Sequence, residues 1–298
     1  SFVNEIRNEH IYSSVLGKPM DTNKGKFTKS DERTNISHTF EHRFSIDKFN
    51  INAAILFNKN TSLEDDGYKL YPAINASYQL QETLKIYGSW NKATRMPTFT
   101  TGNVNLSPEN SEAFEIGLKF NNRIINAHLV GFLMKGENVI DWVKENDADK
   151  FTAQNWVEVD RKGVEAGLQI NMNQLSVKTP FNSIQLGYTR MHQTKDDKNL
   201  ISSYVNHLRD KLTIGLNHDI YKTVSANWNF RFQKRMGIFE KYKNGNKSLS
   251  EYPSYSTLDL KINWKVNKSF DTYLSANNIY NTDYYDIGNI PQAGFWFS

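Results

Sequence analysis

The sequence predicts an all-β protein, an antiparallel up-and-down transmembrane β-barrel with about fourteen strands present. Three observations lead there. Apolar and polar residues alternate in segments of about ten residues along most of the chain. The connections between these segments are alternately short and long. Aromatic residues gather near the segment ends.

The alternation is clearest in three places. Val224, Ala226, Trp228, Phe230 and Phe232 are interleaved with Ser225, Asn227, Asn229 and Arg231. Leu258, Leu260, Ile262, Trp264 and Val266 are interleaved with Asp259, Lys261, Asn263 and Lys265. Val164, Ala166, Leu168, Ile170 and Met172 are interleaved with Glu165, Gly167, Gln169 and Asn171. Segments 36–46, 74–80, 84–90, 114–120, 184–190 and 212–220 behave the same way. Successive side chains of a strand point to opposite faces, so every segment has one apolar and one polar face. In a barrel this wide the apolar set faces lipid and the polar set faces a hydrated lumen. Trp228, Phe230, Leu260 and Ile262 are therefore expected outside, and Asn227, Asn229, Asp259 and Lys261 inside.

Short polar turns are expected at Asp47–Lys48, Gln81–Thr83, Asn121–Arg123, Gln174–Thr179, Tyr221–Lys222 and Asn267–Ser269. Longer connections fall near 58–70, 92–110, 136–156, 191–207, 234–253 and 280–291. In a meander, all short turns then lie at one end of the barrel and all long loops at the other. Outer-membrane barrels have this asymmetry, with short periplasmic turns and long extracellular loops. Trp90, Trp228, Trp264, Tyr188, Tyr221 and Tyr273 are expected in the interfacial girdles. A soluble sandwich or propeller also alternates. Strand length, loop asymmetry and the placement of aromatics favour the membrane barrel.

Composition narrows the function. The net charge of +4 comes from 36 basic and 32 acidic residues spread along the 298-residue chain. No basic block grips a phosphate backbone, which excludes nucleic acid as the partner. Without Cys there are no disulfides or thiolate metal sites. No apolar run of about 18 residues makes a transmembrane helix. The mean hydropathy of −0.64 is unremarkable because a barrel wall alternates. No nucleophile elbow, phosphate loop or HExxH segment occurs, so the chain is not read as an enzyme and no cofactor is expected. Glu64–Asp65–Asp66, Glu145 with Asp147 and Asp149, and Asp196–Asp197 lie in predicted long loops; Ca²⁺ ligation and plain solvation both fit them. His38 and His42 interrupt an apolar face, but four strand residues separate their side chains by roughly 13 Å, too far to share a metal. Trp142 and Trp156, near Asp141 and Lys144, are the candidate ligand contacts, able to stack on a flat ligand; a membrane girdle or loop packing also accounts for them.

Several segments resemble those of TonB-dependent outer-membrane receptors. Tyr87–Gly88–Ser89–Trp90–Asn91–Lys92–Ala93–Thr94–Arg95–Met96–Pro97 is similar to the family run Y-x-x-x-S/T-x-x-x-R-x-P, with Asn91 in place of the hydroxyl. Gly102–Asn103–Val104–Asn105–Leu106–Ser107–Pro108–Glu109, followed by Glu112 and Glu115, resembles NxxLxPExSxxxExG. Gly163–Val164–Glu165 matches the GVE strand opening. Ala276–Asn277–Asn278–Ile279–Tyr280–Asn281 with Tyr284–Tyr285 resembles NLFDKxY, and Pro291–Gln292–Ala293–Gly294–Phe295–Trp296 resembles the P-x-x-G-R entry to the last strand, with Phe295 replacing Arg. These occur in the family's order over residues 70–298.

The resemblance implies energised import across the outer membrane. It implies a 22-stranded barrel filled by an N-terminal plug, whose TonB box couples it to an inner-membrane motor. Residues 1–298 are then the C-terminal portion of the transmembrane barrel, the plug domain and about eight first strands not being in this chain. The chain opens in mid-pattern at Ser1–Phe2–Val3 and stops at Ser298, where the family continues to a terminal aromatic. Thr98–Phe99–Thr100 runs almost directly into Gly102–Asn103, where relatives carry a longer loop. The implied partners are outer-membrane lipid, the remainder of the same receptor, TonB through the plug, a surface lipoprotein and a scarce nutrient. That nutrient is cobalamin, haem or a ferric chelate, and the compact loops are most similar to the vitamin B12 receptor branch of Bacteroidetes-type bacteria. A passive outer-membrane porin and a soluble β-rich glycan-binding protein are the competing readings.

Overall fold

The computed structural model describes residues 1–61, 67–99, 106–144, 152–156, 158–175, 179–195, 201–202, 208–243, 245–287 and 290–298. Strands form wherever the sequence alternates. β1 (Phe2–Ser13) and the short β2 (Lys18–Lys24) both pair with β3 (Phe27–Ile46). β4 (Phe49–Asn60), β5 (Lys69–Gln81), β6 (Leu84–Arg95), β7 (Glu109–Asn121) and β8 (Ile125–Glu137) follow, each antiparallel to the one before. β9 (Val139–Lys144) and β10 (Thr152–Trp156) then form a separate hairpin, and β11 (Val159–Asn171) returns to β8. β12 (Phe181–Lys195) comes next, and the two-residue β13 (Ile201–Ser202) adds to β9. β14 (Leu208–Tyr221) and β15 (Val224–Arg235) precede a second loop hairpin, β16 (Ile238–Lys243) with β17 (Asn246–Glu251). β18 (Tyr255–Lys265) and β19 (Asp271–Asn277) return to the wall. A small pair, β20 (Tyr285–Ile287) with β21 (Ile290–Pro291), precedes β22 (Trp296–Phe297), which pairs with β19.

Fourteen strands of the large sheet lie in the order of the chain, from β1 at one edge to β22 at the other, with β2 off this path. This is the up-and-down meander the loop pattern predicts. The short connections tighten to Asp47–Lys48, Glu82–Thr83 and Lys222–Thr223. Asp47 sits in the left-handed region at φ 48°, which a short polar side chain tolerates. Asn122 Oδ1 accepts from the amides of Ile124 (2.9 Å) and Ile125 (2.7 Å), and Asn267 Oδ1 accepts from Ser269 (2.8 Å), so the polar turn residues close their own turns. The other end carries the long connections, three of which contain antiparallel strand pairs, β9–β10, β16–β17 and β20–β21, where the sequence predicts loops. Many wall strands exceed the 9–11 residues that cross a bilayer; β3 has 20 and β12 has 15.

Register keeps the two faces apart over the whole width. One row of cross-strand partners reads Leu118, Leu129, Ala166, Tyr188, Leu212 and Phe232. The adjacent row reads Lys119, His128, Gly167, Gly187, Thr213 and Arg231. Trp228 meets Leu260, Phe230 meets Leu258 and Ile262 meets Ala226, as expected, while Asn227 meets Lys261 and Asn229 meets Asp259. A slip of one residue in any pair would invert that strand's faces.

Among the described residues no dry core backs the apolar face. Leu260 and Ile262 are half-buried, Leu129 is 53% exposed and Ile116 is 63% exposed. Soluble monomers rarely expose continuous apolar surface of this extent. Trp264 and Tyr221 lie exposed on this face at the short-turn end. Trp90, Tyr188 and Trp228 lie on it with their polar tips satisfied: Trp90 Nε1 donates to Glu112 (2.7 Å), Tyr188 hydroxyl to Asp210 (3.0 Å) and Trp228 Nε1 to His218 (3.2 Å). Tyr273 departs from the expectation. It pairs with Asn263 on the polar face, where Lys261 Nζ lies 4.1 Å from its ring centroid. The apolar set of β19 is Leu274 and Ala276, opposite Ile262 and Leu260, so Tyr273 falls between them.

His38 is held by Asn4 (2.6 Å) and Tyr68 (3.1 Å), and among the described residues no three His, Asp or Glu side chains gather as a metal site. The three acidic clusters at 64–66, 145–149 and 196–197 lie outside the described residues, as does the expected junction at residues 100–105. So do residues 176–178 of the turn expected at Gln174–Thr179.

On the polar face, large side chains lie across glycines. A Cβ on Gly117 would stand 2.5 Å from the Tyr87 ring, and one on Gly163 would stand 2.5 Å from the Phe132 ring. The missing side chain makes room for its neighbour.

Two predictions follow from the faces. Leu129→Arg should cost roughly 2–4 kcal/mol if Leu129 faces lipid, and Thr213→Arg on the polar face far less; equilibrium unfolding of the protein in lipid vesicles measures both. In an ordinary strand Gly→Ala is neutral or stabilising, but Gly117→Ala should destabilise by about 1–3 kcal/mol through overpacking against Tyr87. Adding Tyr87→Ala should recover part of that loss in the same unfolding assay.

Candidate functional site

The polar face is a hydrogen-bonded lining of mixed charge. Glu41 accepts from Arg43 Nε and Asn52 Nδ2, both at 2.9 Å. His128 Nε2 lies 3.5 Å from Glu165. Asn182 donates to Asn217 and Asp219, each at 2.8 Å, and Asn217 donates to Asn227. A hollow of about 860 Å³ is lined by residues that include Lys85, Lys119, His128, Glu165 and Gln185. A smaller one of about 490 Å³ includes Arg43, Asn52, Asn75, Tyr87 and Glu115. Charges of both signs beside amides can hydrogen-bond a polar polypeptide or a hydrated solute. They do not form a nucleophile–base pair.

At the long-loop end, two segments that the sequence singles out separately prove to be one unit. Arg95 grips Glu109 with both Nε (2.5 Å) and Nη2 (2.7 Å). Glu109 Oε1 also accepts from the Ile140 amide at 2.6 Å. Asn155 Oδ1 accepts from the Ser107 amide (2.6 Å), while its Nδ2 donates to the carbonyls of Ser107 (2.8 Å) and Asn138 (2.7 Å). Arg33, paired with Glu9, donates to the Pro97 carbonyl and lies 4.6 Å from the Phe99 ring centroid. The connection after β6 and the β9–β10 hairpin are thus tied to each other and to the wall.

That hairpin carries the two tryptophan candidates. Trp142 is 37% exposed, beside buried Asp141 and Val143. Trp142 pairs with Ala153 and Trp156 with Val139, so the two positions stand three pairs apart along the ladder. The register does not set them side by side as jaws of one stack.

A second cluster organises the C-terminal loops. Tyr255 stacks on Tyr284 with centroids 4.4 Å apart, and Arg231 lies 5.4 Å from each ring and donates to the Tyr284 hydroxyl at 3.1 Å. Asp286 accepts from the Tyr255 hydroxyl (2.5 Å) and from Gln233 (3.2 Å). Phe239 packs between Tyr252 (4.7 Å) and Tyr285 (5.2 Å). Asn278, buried at φ 49°, donates its backbone amide to the Asp259 carboxylate and its Nδ2 to the carbonyls of Thr282 and Ala293. Asn281, at φ 50°, accepts from the Phe295 amide at 2.8 Å, and a Cβ on Gly294 would stand 2.6 Å from its Oδ1. Sequence reasoning did not assemble Arg231, Tyr255 and Asp286. They come from three separate segments, and no local spacing marks them; the only signal was a polar residue at the loop end of each alternating run.

The family model described as "TonB dependent receptor-like, beta-barrel" matches residues 7–279. A search of curated proteins finds no match. Among solved structures, the chain is similar to the FrpB iron transporter from Neisseria meningitidis (F5-1 variant, apoprotein), with a TM-score of 0.74 and 16% identity over 99% of this chain and 52% of that one. It is similar to the ferric enterobactin receptor PfeA of Pseudomonas aeruginosa, with a TM-score of 0.72 and 14% identity over 99% and 49%. It is similar also to the pyoverdine outer-membrane receptor FpvA of Pseudomonas aeruginosa, with a TM-score of 0.65 and 20% identity over 90% and 41%. The chain spans about half the length of these structures. The family sets the sheet in the outer membrane, and a barrel wall there turns its apolar face to lipid. By the extent of that match and by its fold, the chain belongs to the TonB-dependent receptor β-barrel family.

Proposed function

We propose that the protein is an outer-membrane active-transport receptor for a scarce nutrient, and that residues 1–298 form the C-terminal part of its barrel. The observation that carries this reading is the asymmetry of the two ends. Tight turns close one end, while the other holds long connections fixed by the Arg95–Glu109–Ile140 and Arg231–Tyr284 clusters. Loops held in place lose less entropy on binding a ligand. In this reading the long loops are extracellular and capture the nutrient, and the plug, carried by the rest of the receptor, is moved by TonB. Trp142 and Trp156 are the proposed aromatic contacts, and a surface lipoprotein is a proposed partner over the loops.

A ferric chelate is the ligand class we favour, ahead of cobalamin or haem. The support is that FrpB is described as an iron transporter, PfeA as a ferric enterobactin receptor and FpvA as a pyoverdine receptor. The vitamin B12 branch rests on the sequence resemblance alone. A passive porin is the weaker reading, because the family assignment favours a receptor.

Sidedness is testable because the chain has no Cys. In intact cells, Lys243→Cys should react with an impermeant thiol reagent and Lys268→Cys should not; the opposite pattern reverses the topology. For function, a receptor-null strain carrying the full-length gene should take up a labelled ferric chelate in a TonB-dependent way. The same strain carrying residues 1–298 alone should not, and rescue by the segment would show the chain to be sufficient in itself. Trp142→Ala in the full-length receptor should weaken ligand binding about tenfold, or about 1.4 kcal/mol, in a titration on purified protein.

A further inference from the structure

Three arginines of the polar face have carboxylate partners: Arg33 pairs with Glu9, Arg43 with Glu41 and Arg95 with Glu109. Three lysines of that face do not. Among the described residues, no hydrogen bond or ion pair reaches the ammonium of Lys85, Lys119 or Lys211.

Register makes this costly. Lys85 is the direct partner of Lys119, and Lys119 that of His128. Side chains directly opposite stand about 5 Å apart at Cβ, where like charges repel. His128 leans away from the lysines. A Cβ on Gly167 would stand 2.2 Å from its ring, and its Nε2 lies 3.5 Å from Glu165. Glu82 and Glu115 border the same part of the wall, yet neither forms an ion pair with a lysine. Two bare positive charges are thus held side by side.

They sit at a hollow. Lys85 and Lys119 line one flank of the 860 Å³ hollow and Lys211 the other. Four interstrand spacings separate β7 from β14, about 19 Å along the wall. Gln79, Asn121, Asn126, Gln169 and Gln185 also line it, and their amides both donate and accept. The volume is that of a small-molecule site. Lys85 is the second residue of β6 and Lys119 the third from the end of β7, so the lysines lie beside the short turns.

We infer that Lys85, Lys119 and Lys211 form a binding station for an oxygen-rich anion at the short-turn end of the polar face, and that its occupant is an anionic ferric chelate on its way off the receptor. The occupant rests on the transport function proposed above; the anion site does not. Fe³⁺ held by catecholate or carboxylate oxygens leaves a complex of net negative charge. Ammonium groups form charge-assisted hydrogen bonds with such oxygens. Lysine grips as a point charge on a flexible stem. That suits a station that must release what it holds.

The test uses the full-length receptor, the double variant Lys85→Gln/Lys119→Gln and its charge-keeping counterpart Lys85→Arg/Lys119→Arg. The first readout is melting of the nutrient-free protein in mild detergent. The Gln variant should melt no lower than the parent, because removing opposed like charges relieves repulsion. A lower melting temperature would show that a carboxylate elsewhere in the receptor already neutralises the lysines, and would overturn the proposal. Citrate, a tricarboxylate, added at constant ionic strength should raise the melting temperature of the parent and of the Arg variant more than that of the Gln variant. Equal shifts in all three would also overturn it. The second readout is TonB-dependent uptake of a labelled ferric tricatecholate by a receptor-null strain carrying each gene. The maximal rate should fall about tenfold in the Gln variant, with a smaller change in the concentration for half-maximal uptake. The Arg variant should retain most of the rate. Unchanged uptake in the Gln variant would overturn the transit role. A parent receptor that imports no chelate at all would instead count against the ferric ligand proposed above, and the citrate shifts would still decide the anion site.

Discussion

Lipid supplies no hydrogen-bond partner to a peptide group, and the rest of the architecture answers to that fact. Each amide and carbonyl that crosses the hydrocarbon must find its partner in the adjacent strand. A meander in chain order does this with the least chain, because an antiparallel neighbour needs only a tight turn. The ladder from β3 to β15 is continuous; its shifts between Gln79 and Gln81, between Phe181 and Ser183 and between Asp219 and Tyr221 sit near short turns, and the shift between Leu208 and Asp210 sits at the long-loop end of β14. Register then fixes the faces, and the faces fix what each side of the wall can touch.

The two faces handle small residues differently. Inside, polar side chains must find partners, and a large one such as Tyr87 settles over Gly117. Outside, the solvent is lipid, which flows into gaps, so Gly88 and Gly131 stay open without the cost a soluble core would exact. The same residue type therefore reports close packing on one face and a depression on the other.

Much of the wall was legible in the sequence, because a period of two over many segments leaves few alternatives. The turns were legible from Asp, Asn and Lys at short intervals. The hairpins β9–β10 and β16–β17 were not, since they lie outside the large sheet and carry no stripe of its apolar face to impose the period. Tyr273 was misassigned because an aromatic near a strand end looks the same from either face; only its register against Asn263 decides. The segments that carried the resemblance turn out to hold the structure together. Arg95 and Glu109 fasten two connections, and Asn281 and Gly294 fit one another. Ligand contacts were not legible, because loop residues meet across long separations and obey no spacing rule. Trp142 and Trp156 illustrate this: close in sequence, yet three pairs apart on their hairpin.

The bonds of Glu109 have a mechanical consequence. One carboxylate holds Arg95 at the top of β6 and the Ile140 amide at the base of the β9–β10 hairpin. Asn155, on the returning strand of that hairpin, holds the Ser107 backbone from the other side. Two connections joined at two separate points lose their hinge freedom relative to each other and swing as a single rigid lever. A push on the hairpin is then delivered to β6 and β7, so force applied at that end of the barrel arrives at the wall as torque on two adjacent strands.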